Sequence, residues 1–211
     1  MVSGGGTNLQ SIIDAAEAGE LDGVEICGVI SSRKKAYALE RAARAGLPRK
    51  VIRPRDYEDR EAFDRALADA VKSFSPDYVL LAGYLQKIGQ PLLEAYPDHI
   101  LNIHPSLLPA YGGEGMYGIK PHEAVLAAGE EETGATIHLV NEDYDRGRIL
   151  LQKKVKVKED DDPERLQKRV MAQAEHVLYP EILRRLEAIF PKGPEGLEGE
   201  IIEADDEQSE A

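Results

Sequence analysis

Pro76-Asp77-Tyr78-Val79-Leu80-Leu81-Ala82-Gly83-Tyr84-Leu85-Gln86-Lys87-Ile88 runs through a short segment around Pro91–Tyr96 into His99-Ile100-Leu101-Asn102-Ile103-His104-Pro105-Ser106-Leu107-Leu108-Pro109. Two apolar runs, each short enough for a strand and closed by Gly83 or Pro105, flank a short helical segment. Such continuous apolar strands belong to a parallel sheet covered on both faces. Asn102 and His104 are two apart, so on an extended chain their side chains share one face. Pro105 ends the strand and places both groups at its carboxyl mouth. From spacing alone, an ordinary strand end whose polar residues satisfy a turn is the simpler reading.

The same alternation continues on both sides. Val24–Ile30 reads as a buried strand ending in Ser31-Ser32, and Ala36–Ala45 as a helix closed by Gly46. Lys50–Ile52 is a short strand stopped by Pro54. The next helix starts at an Asp59 cap and runs to Phe74, with Phe63, Leu67 and Val71 on one side. Downstream, Pro121–Ala128 is a helix ended by Gly129, Gly134–Val140 and Ile149–Val155 are strands, and Pro163 opens a long helix reaching Ile189. The expected fold is α/β: an open, mostly parallel, doubly wound, Rossmann-like sheet with an antiparallel extension. Residues 1–190 form a single domain in this reading, and residues 191–211 an acidic, mostly disordered tail in which Ile201-Ile202 could dock as an edge strand.

Near the N-terminus, Ser3-Gly4-Gly5-Gly6-Thr7-Asn8 leads into a helix carrying Leu9, Ile12, Ile13 and Ala16. Free N–H groups at a helix start, with glycines beside them, suit a phosphate; a plain tight turn has the same pattern. A strand is expected before this turn, yet only Met1 and Val2 precede it. Either the natural start lies upstream, or the strand is lost and stability with it. Ligands in open α/β sheets bind beyond the carboxyl ends of the strands. The Gly-rich turn, the Gly83–Ile88 segment and the Asn102/His104 pair all fall there.

The formal net charge of −13 argues against nucleic-acid binding, and no apolar run approaches membrane-spanning length. The opening residues carry no signal-peptide pattern, and the single cysteine, Cys27, suits buried packing in a reducing cytoplasm. No Cys/His spacing calls for a metal. The glycine-rich stretch Tyr111–Gly118 is either a lid or a solvent loop. His138 reads as a satisfied core histidine, and His122 and His176 receive no role.

Five motifs then occur in order: Ser3–Ile13 (SGGGTNLQSII), Leu101–Pro109 (LNIHPSLLP), Gly134–Val140 (GATIHLV), Asp143–Gly147 (DYDRG) and Glu175–Pro180 (EHVLYP). Together they resemble the phosphoribosylglycinamide formyltransferases of purine biosynthesis and one-carbon metabolism, over Ser3 to Ile189; NIHPSLLP alone marks the wider formyltransferase superfamily. The resemblance implies a transferase moving a formyl group from 10-formyltetrahydrofolate to the amine of glycinamide ribonucleotide. It implies catalytic roles for Asn102, His104 and Asp145, with Asp145 favouring a charged imidazole at His104. Gly6, Thr7, Asn8 and Glu175 match the ribonucleotide contacts; Arg60, Leu85, Gln86, Lys87, Ile88, Asn102, Asn141, Glu142, Asp143, Tyr144 and Asp145 match the folate site. Arg60 could instead pair with Asp64, and Glu175 could be a surface residue. Ser106 is structural before it is a nucleophile, and Leu108–Pro109 is a candidate cis bond, as in relatives. Arg148 stands where many relatives have proline, and Gly112–Gly118 is longer than in some. Partners are small molecules, with a homodimer left open. The rivals are a 10-formyltetrahydrofolate hydrolase with a similar Asn/His/Asp set and a non-catalytic folate-binding relative.

Overall fold

The computed structural model describes residues 1–189 and 199–203. Its elements are α1 (Thr7–Glu17), β1 (Val29–Ser31), α2 (Ala38–Arg44), β2 (Arg49–Val51), α3 (Arg60–Lys72), β3 (Val79–Leu81), α4 (Gln90–Ala95), β4 (Ile100–His104), α5 (Lys120–Ala128), β5 (Glu132–Leu139), β6 (Ile149–Lys156), α6 (Pro163–Val170), a π-helical turn (Met171–Glu175), α7 (His176–Ile189) and β7 (Glu200–Ile202). Parallel pairs β3–β4 and β6–β7 are joined through antiparallel β4–β5 and β5–β6 pairings into a five-stranded sheet, and β1–β2 form a separate parallel pair. This is the doubly wound sheet with an antiparallel extension that the alternation predicts.

The expected first strand is reduced to Met1 and Val2. Val2 donates to the Ile30 carbonyl at 2.9 Å and accepts from the Ser32 amide at 3.1 Å. Met1 accepts from the Ala82 amide at 2.9 Å, and its amino group donates to the Leu80 carbonyl. These two residues therefore bridge β1 and β3 into one continuous surface. From Val2 the sheet grows one way to β1 and β2 and the other way to β3 and β4, so strand order reverses at Val2. The turn after Val2 and the turn after β3 flank the crevice where such sheets take ligands.

Strand alternation divides the core. Val79, Leu81 and Ile100 pack with Phe63, Leu67, Val71 and Leu92 on one face. Leu101 and Ile103 pack with Leu9, Ile13, Leu178, Tyr179 and Ile182 on the other. Asn102 and His104 thus share the face of Ile100, as period two requires.

Two boundaries differ from expectation. The Val24–Ile30 strand contracts to Val29–Ser31, because only those residues meet partners in β2 and Val2; Cys27 is accordingly half-buried. The long helix after Pro163 is interrupted by the π-turn. Ile201-Ile202 do dock, in β7 alongside β6. The remaining tail, with the disorder expected of it, falls at 190–198 and 204–211, outside the described residues.

Candidate active site

β4 delivers Asn102 and His104 to the crevice, and the antiparallel register sets His138 opposite Asn102 and Thr136 opposite His104. The turn that follows is fastened from below. Thr136 Oγ1 donates to the Ser106 carbonyl (2.6 Å) and accepts from the Leu108 amide (3.0 Å) and from Gln152 Nε2 (2.8 Å). Ser106 is fully buried, its hydroxyl donating to the Ala110 carbonyl at 2.7 Å, which is a structural role. The Leu108–Pro109 bond is cis.

Asp145 comes from the loop between β5 and β6 and stands over this face. Its Oδ2 lies 3.4 Å from His104 Nδ1 and accepts from the Gly113 amide at 2.9 Å. Its Oδ1 lies 3.4 Å from His138 Nε2 and 3.5 Å from Asn102 Nδ2. Asn102 Nδ2 is also 3.1 Å from His138 Nε2, while His138 Nδ1 donates to the Leu139 carbonyl at 2.8 Å. His138 is buried and satisfied, as expected, but it also joins the cluster. Asp145 and Tyr111 both sit at positive φ, 53° and 56°. A bulky residue such as Tyr111 rarely adopts that conformation without a compensating contact. Here the Tyr111 carbonyl receives His104 Nε2–H at 2.8 Å.

The electrostatics set burial against the carboxylate, which pulls His104 toward its charged form as expected. Burial lowers the His104 pKa below the ordinary histidine value, and this outweighs the upward pull of Asp145 and of the Tyr111 carbonyl. Burial thus resists the charged form of His104, whose Nε2–H is held by Tyr111 and whose Nδ1 faces Asp145. For Asp145, burial pushes the pKa up, but the imidazoles of His138 and His104 and the Gly113 N–H together draw it below the usual carboxylate value.

His122, on α5, is fully buried beside this cluster, with no partner for either ring nitrogen among the described residues. Burial first, then the charge of His104, lowers its pKa from 6.5 to about 4. Between those two values the unfolded chain binds a proton that the folded chain does not. The stability attributable to His122 is thus present above about pH 6.5 and lost as pH falls toward about 4. His122→Leu, which removes both unpaired nitrogens, is expected to raise the melting temperature more at pH 5 than at pH 8. An equal change at both pH values would remove His122 as the source of acid sensitivity.

Across the crevice, Asn8 Nδ2 donates to Glu175 Oε2 at 2.7 Å, leaving Asn8 Oδ1 buried and without a partner among the described residues. Glu175 is buried rather than a surface residue, and burial raises its pKa, partly offset by the Asn8 hydrogen bond. The π-turn explains its direction. Residues four apart on an α-helix drift by about 40°, and the wider π-turn cancels that drift. Gln167, Met171 and Glu175 consequently all line the same cleft.

That cleft measures about 460 Å³ and is bordered by the Gly4–Asn8 turn, Leu85–Ile88, Asn102, His104, Asn141 and Asp143–Asp145. Lys87 Nζ lies 5.3 Å from the Tyr144 ring centroid, linking two rim segments. The candidate residues therefore converge, with two exceptions: Glu142 and Arg60 do not line the cleft. Arg60 Nε donates to Asp64 at 2.8 Å and its outer nitrogen to the Lys87 carbonyl, so the i,i+4 pairing holds and Arg60 props the rim segment from outside. Among the residues that sequence reasoning left out of the site are His122, His138, Gln167 and Met171, while Met116 and Tyr117 bring the glycine-rich stretch that reads as a lid or a solvent loop to the cleft wall. For His138 a signal existed, its alternation with Thr136, but the register that pairs it with Asn102 is a tertiary fact.

Comparison with known proteins agrees with this geometry. The Formyl transferase family profile matches residues 1–183. The phosphoribosylglycinamide formyltransferase of Arabidopsis thaliana, named as chloroplastic, is 44% identical over 183 residues, covering 86% of this chain and 62% of the relative. The chain likewise spans 59% of the Vigna unguiculata relative's length. The Escherichia coli (strain K12) phosphoribosylglycinamide formyltransferase is 37% identical over 87% of this chain and 83% of its own. Among solved structures, glycinamide ribonucleotide transformylase 1 from Symbiobacterium toebii superposes with a TM-score of 0.81 at 42% identity, covering 89% of this chain and 85% of that one.

Proposed function

The chain belongs to the formyl transferase family, and from that premise we propose that it moves the formyl group of 10-formyltetrahydrofolate to the amine of glycinamide ribonucleotide, a step of purine biosynthesis. The observation that carries the reading is the meeting of Asn102, His104 and Asp145 on one wall of a cleft whose other wall is the Gly4–Asn8 turn with Glu175. Asn8 and Glu175 hold the ribonucleotide, whose phosphate sits on the Gly-rich turn. The folate enters along Leu85–Ile88 and Asn141–Tyr144, where Leu85 and Tyr144 expose apolar surface.

The amine nitrogen bonds to the formyl carbon, and the carbonyl π pair moves onto oxygen. The Asn102 amide donates to that oxygen. The proton that the amine nitrogen sheds passes through the Asp145 carboxylate to His104 Nδ1, the ring nitrogen left open because Nε2–H is held by the Tyr111 carbonyl. The resulting imidazolium is satisfied on both sides, by the Tyr111 carbonyl and the Asp145 carboxylate. The proton returns by the same route, from His104 Nδ1 through Asp145, to N10 of the folate as its bond to the formyl carbon breaks, giving the formylated amide and tetrahydrofolate. The charge that burial resists in the free protein is thus accepted only when the oxyanion beside it adds a second negative charge.

A 10-formyltetrahydrofolate hydrolase would use the same three residues with water as acceptor, but would have no use for the Asn8–Glu175 pair. The test supplies 10-formyltetrahydrofolate with and without glycinamide ribonucleotide. Tetrahydrofolate release that depends on the amine is the expected result; equal release without it assigns the hydrolase, and none in either case leaves a folate-binding relative. The cytoplasm is the proposed location, on the single free Cys27, although the plant relatives are named as chloroplastic.

A further inference from the structure

We propose that Arg41, on α2, is a positioning residue for the anion-binding turn, so that the protein's grip on its phosphorylated substrate depends on a side chain outside the cleft. The inference rests on the reading above for the identity of that substrate. α2 grips the turn from behind at two successive carbonyls: the Ala38 amide donates to Gly4 O at 3.1 Å and Arg41 Nε to Gly5 O at 2.9 Å. A trans peptide points its C=O and its N–H in opposite directions. With the Gly4 and Gly5 carbonyls drawn to α2, the Gly5 and Gly6 N–H groups are turned away from α2, toward the cleft that the same glycines line. No described residue accepts from either N–H. The approach leaves no slack, because a Cβ on Gly6 (φ 73°) would fall 2.5 Å from Ala38 Cβ.

Arg41 is itself fixed in place. Its Nη1 donates to Gln10 Oε1 on α1 at 2.9 Å, and its guanidinium stacks 5.0 Å from the Tyr37 ring centroid. One side chain therefore ties together α2, the turn and the first turn of α1, whose free N–H groups complete the anion site. Arg41 acts through the Gly5 carbonyl and touches no substrate.

The experiment compares the wild type with Arg41→Ala, Arg41→Gln and Arg41→Lys. Gln Nε2 occupies the same position along the side chain as Arg Nε, so Gln keeps a donor for Gly5 O without the charge. Lys keeps the charge but not the planar donor. Arg41→Ala is expected to raise KM for glycinamide ribonucleotide, and the Kd of ribose 5-phosphate by calorimetry, about ten-fold. kcat and KM for the folate should stay within two-fold, and Arg41→Gln should recover most of the loss. Recovery by Lys but not Gln would overturn the proposal in favour of simple charge attraction. An unchanged KM, or a fall in kcat and folate affinity in step with the melting temperature, would overturn it as well. If the wild type turned over no glycinamide ribonucleotide the functional reading would fail, while the ribose 5-phosphate measurement would still decide the role of Arg41.

Discussion

Asp145→Asn is expected to lower kcat by about 10²- to 10³-fold with little change in melting temperature, the size of loss seen when acid–base assistance is removed. Asparagine tolerates the positive φ of 53° at this position and keeps an oxygen for the Gly113 N–H, so the loop retains its shape. What disappears is the negative charge 3.4 Å from His104 Nδ1. That charge raises the His104 pKa against the downward effect of burial. Its removal should therefore move the acid limb of kcat/KM to lower pH while reducing the plateau. His104→Ala should cost at least about 10²-fold, and the double variant little more than the worse single one, because the two act as a unit. Stopped-flow or steady-state release of tetrahydrofolate across pH measures all three. Either single variant within ten-fold of wild type would remove the proton-transfer assignment.

Gly147→Ala should be nearly as damaging although the residue touches no substrate. A Cβ there would lie 1.7 Å from the Leu139 carbonyl oxygen and 2.7 Å from its carbon, both backbone atoms that cannot rotate aside. The Leu139 amide is bonded to the Arg148 carbonyl at 2.9 Å, and the neighbouring β5–β6 register is already irregular between Ile137 and His138. The added methyl must push apart the base of the loop that carries Asp145, and a displacement of about 1 Å at a catalytic group can cost about 10²-fold. We expect kcat to fall by about that factor and the melting temperature to drop by several degrees. Ala substitution at Gly19, outside the cleft, is a control for glycine loss in general, because its Cβ would meet nothing within 4 Å, although its φ of 73° adds local strain. A Gly147→Ala protein with wild-type kcat would show that the loop base adapts and does not govern Asp145.

Much of this was legible in the residues. Asn102 and His104 share a face because strand side chains alternate, whatever the strand pairs with. Asp59 caps α3 through the Ala62 amide at 2.7 Å, and Pro163 opens α6, both from local chemistry. The turn at Gly4–Gly6 is announced by the glycine triplet together with the amphipathic helix that follows it.

Other features were not legible, for identifiable reasons. Val24–Cys27 has the composition of a strand but pairs with no other strand among the described residues, and a strand exists only with its partner. The Arg60–Asp64 pair was open from its i,i+4 spacing, but the contact of the same guanidinium with the Lys87 carbonyl joins segments distant in sequence. His138 enters the cluster through a register between strands more than thirty residues apart in sequence. Glu175 is buried against Asn8 because of a π-turn that no residue pattern marks.

The sequence by itself determined the α/β alternation, the placement of its polar residues at strand mouths, and the motifs that resemble formyltransferases, since each depends on neighbours a few residues away. Only the tertiary structure decided that burial resists the charged form of His104, that His122 and His138 stand beside it, and that Arg41 braces the Gly4–Gly6 turn. Those outcomes depend on burial and on contacts between distant segments, and desolvation is a property of the packed chain rather than of any stretch of it.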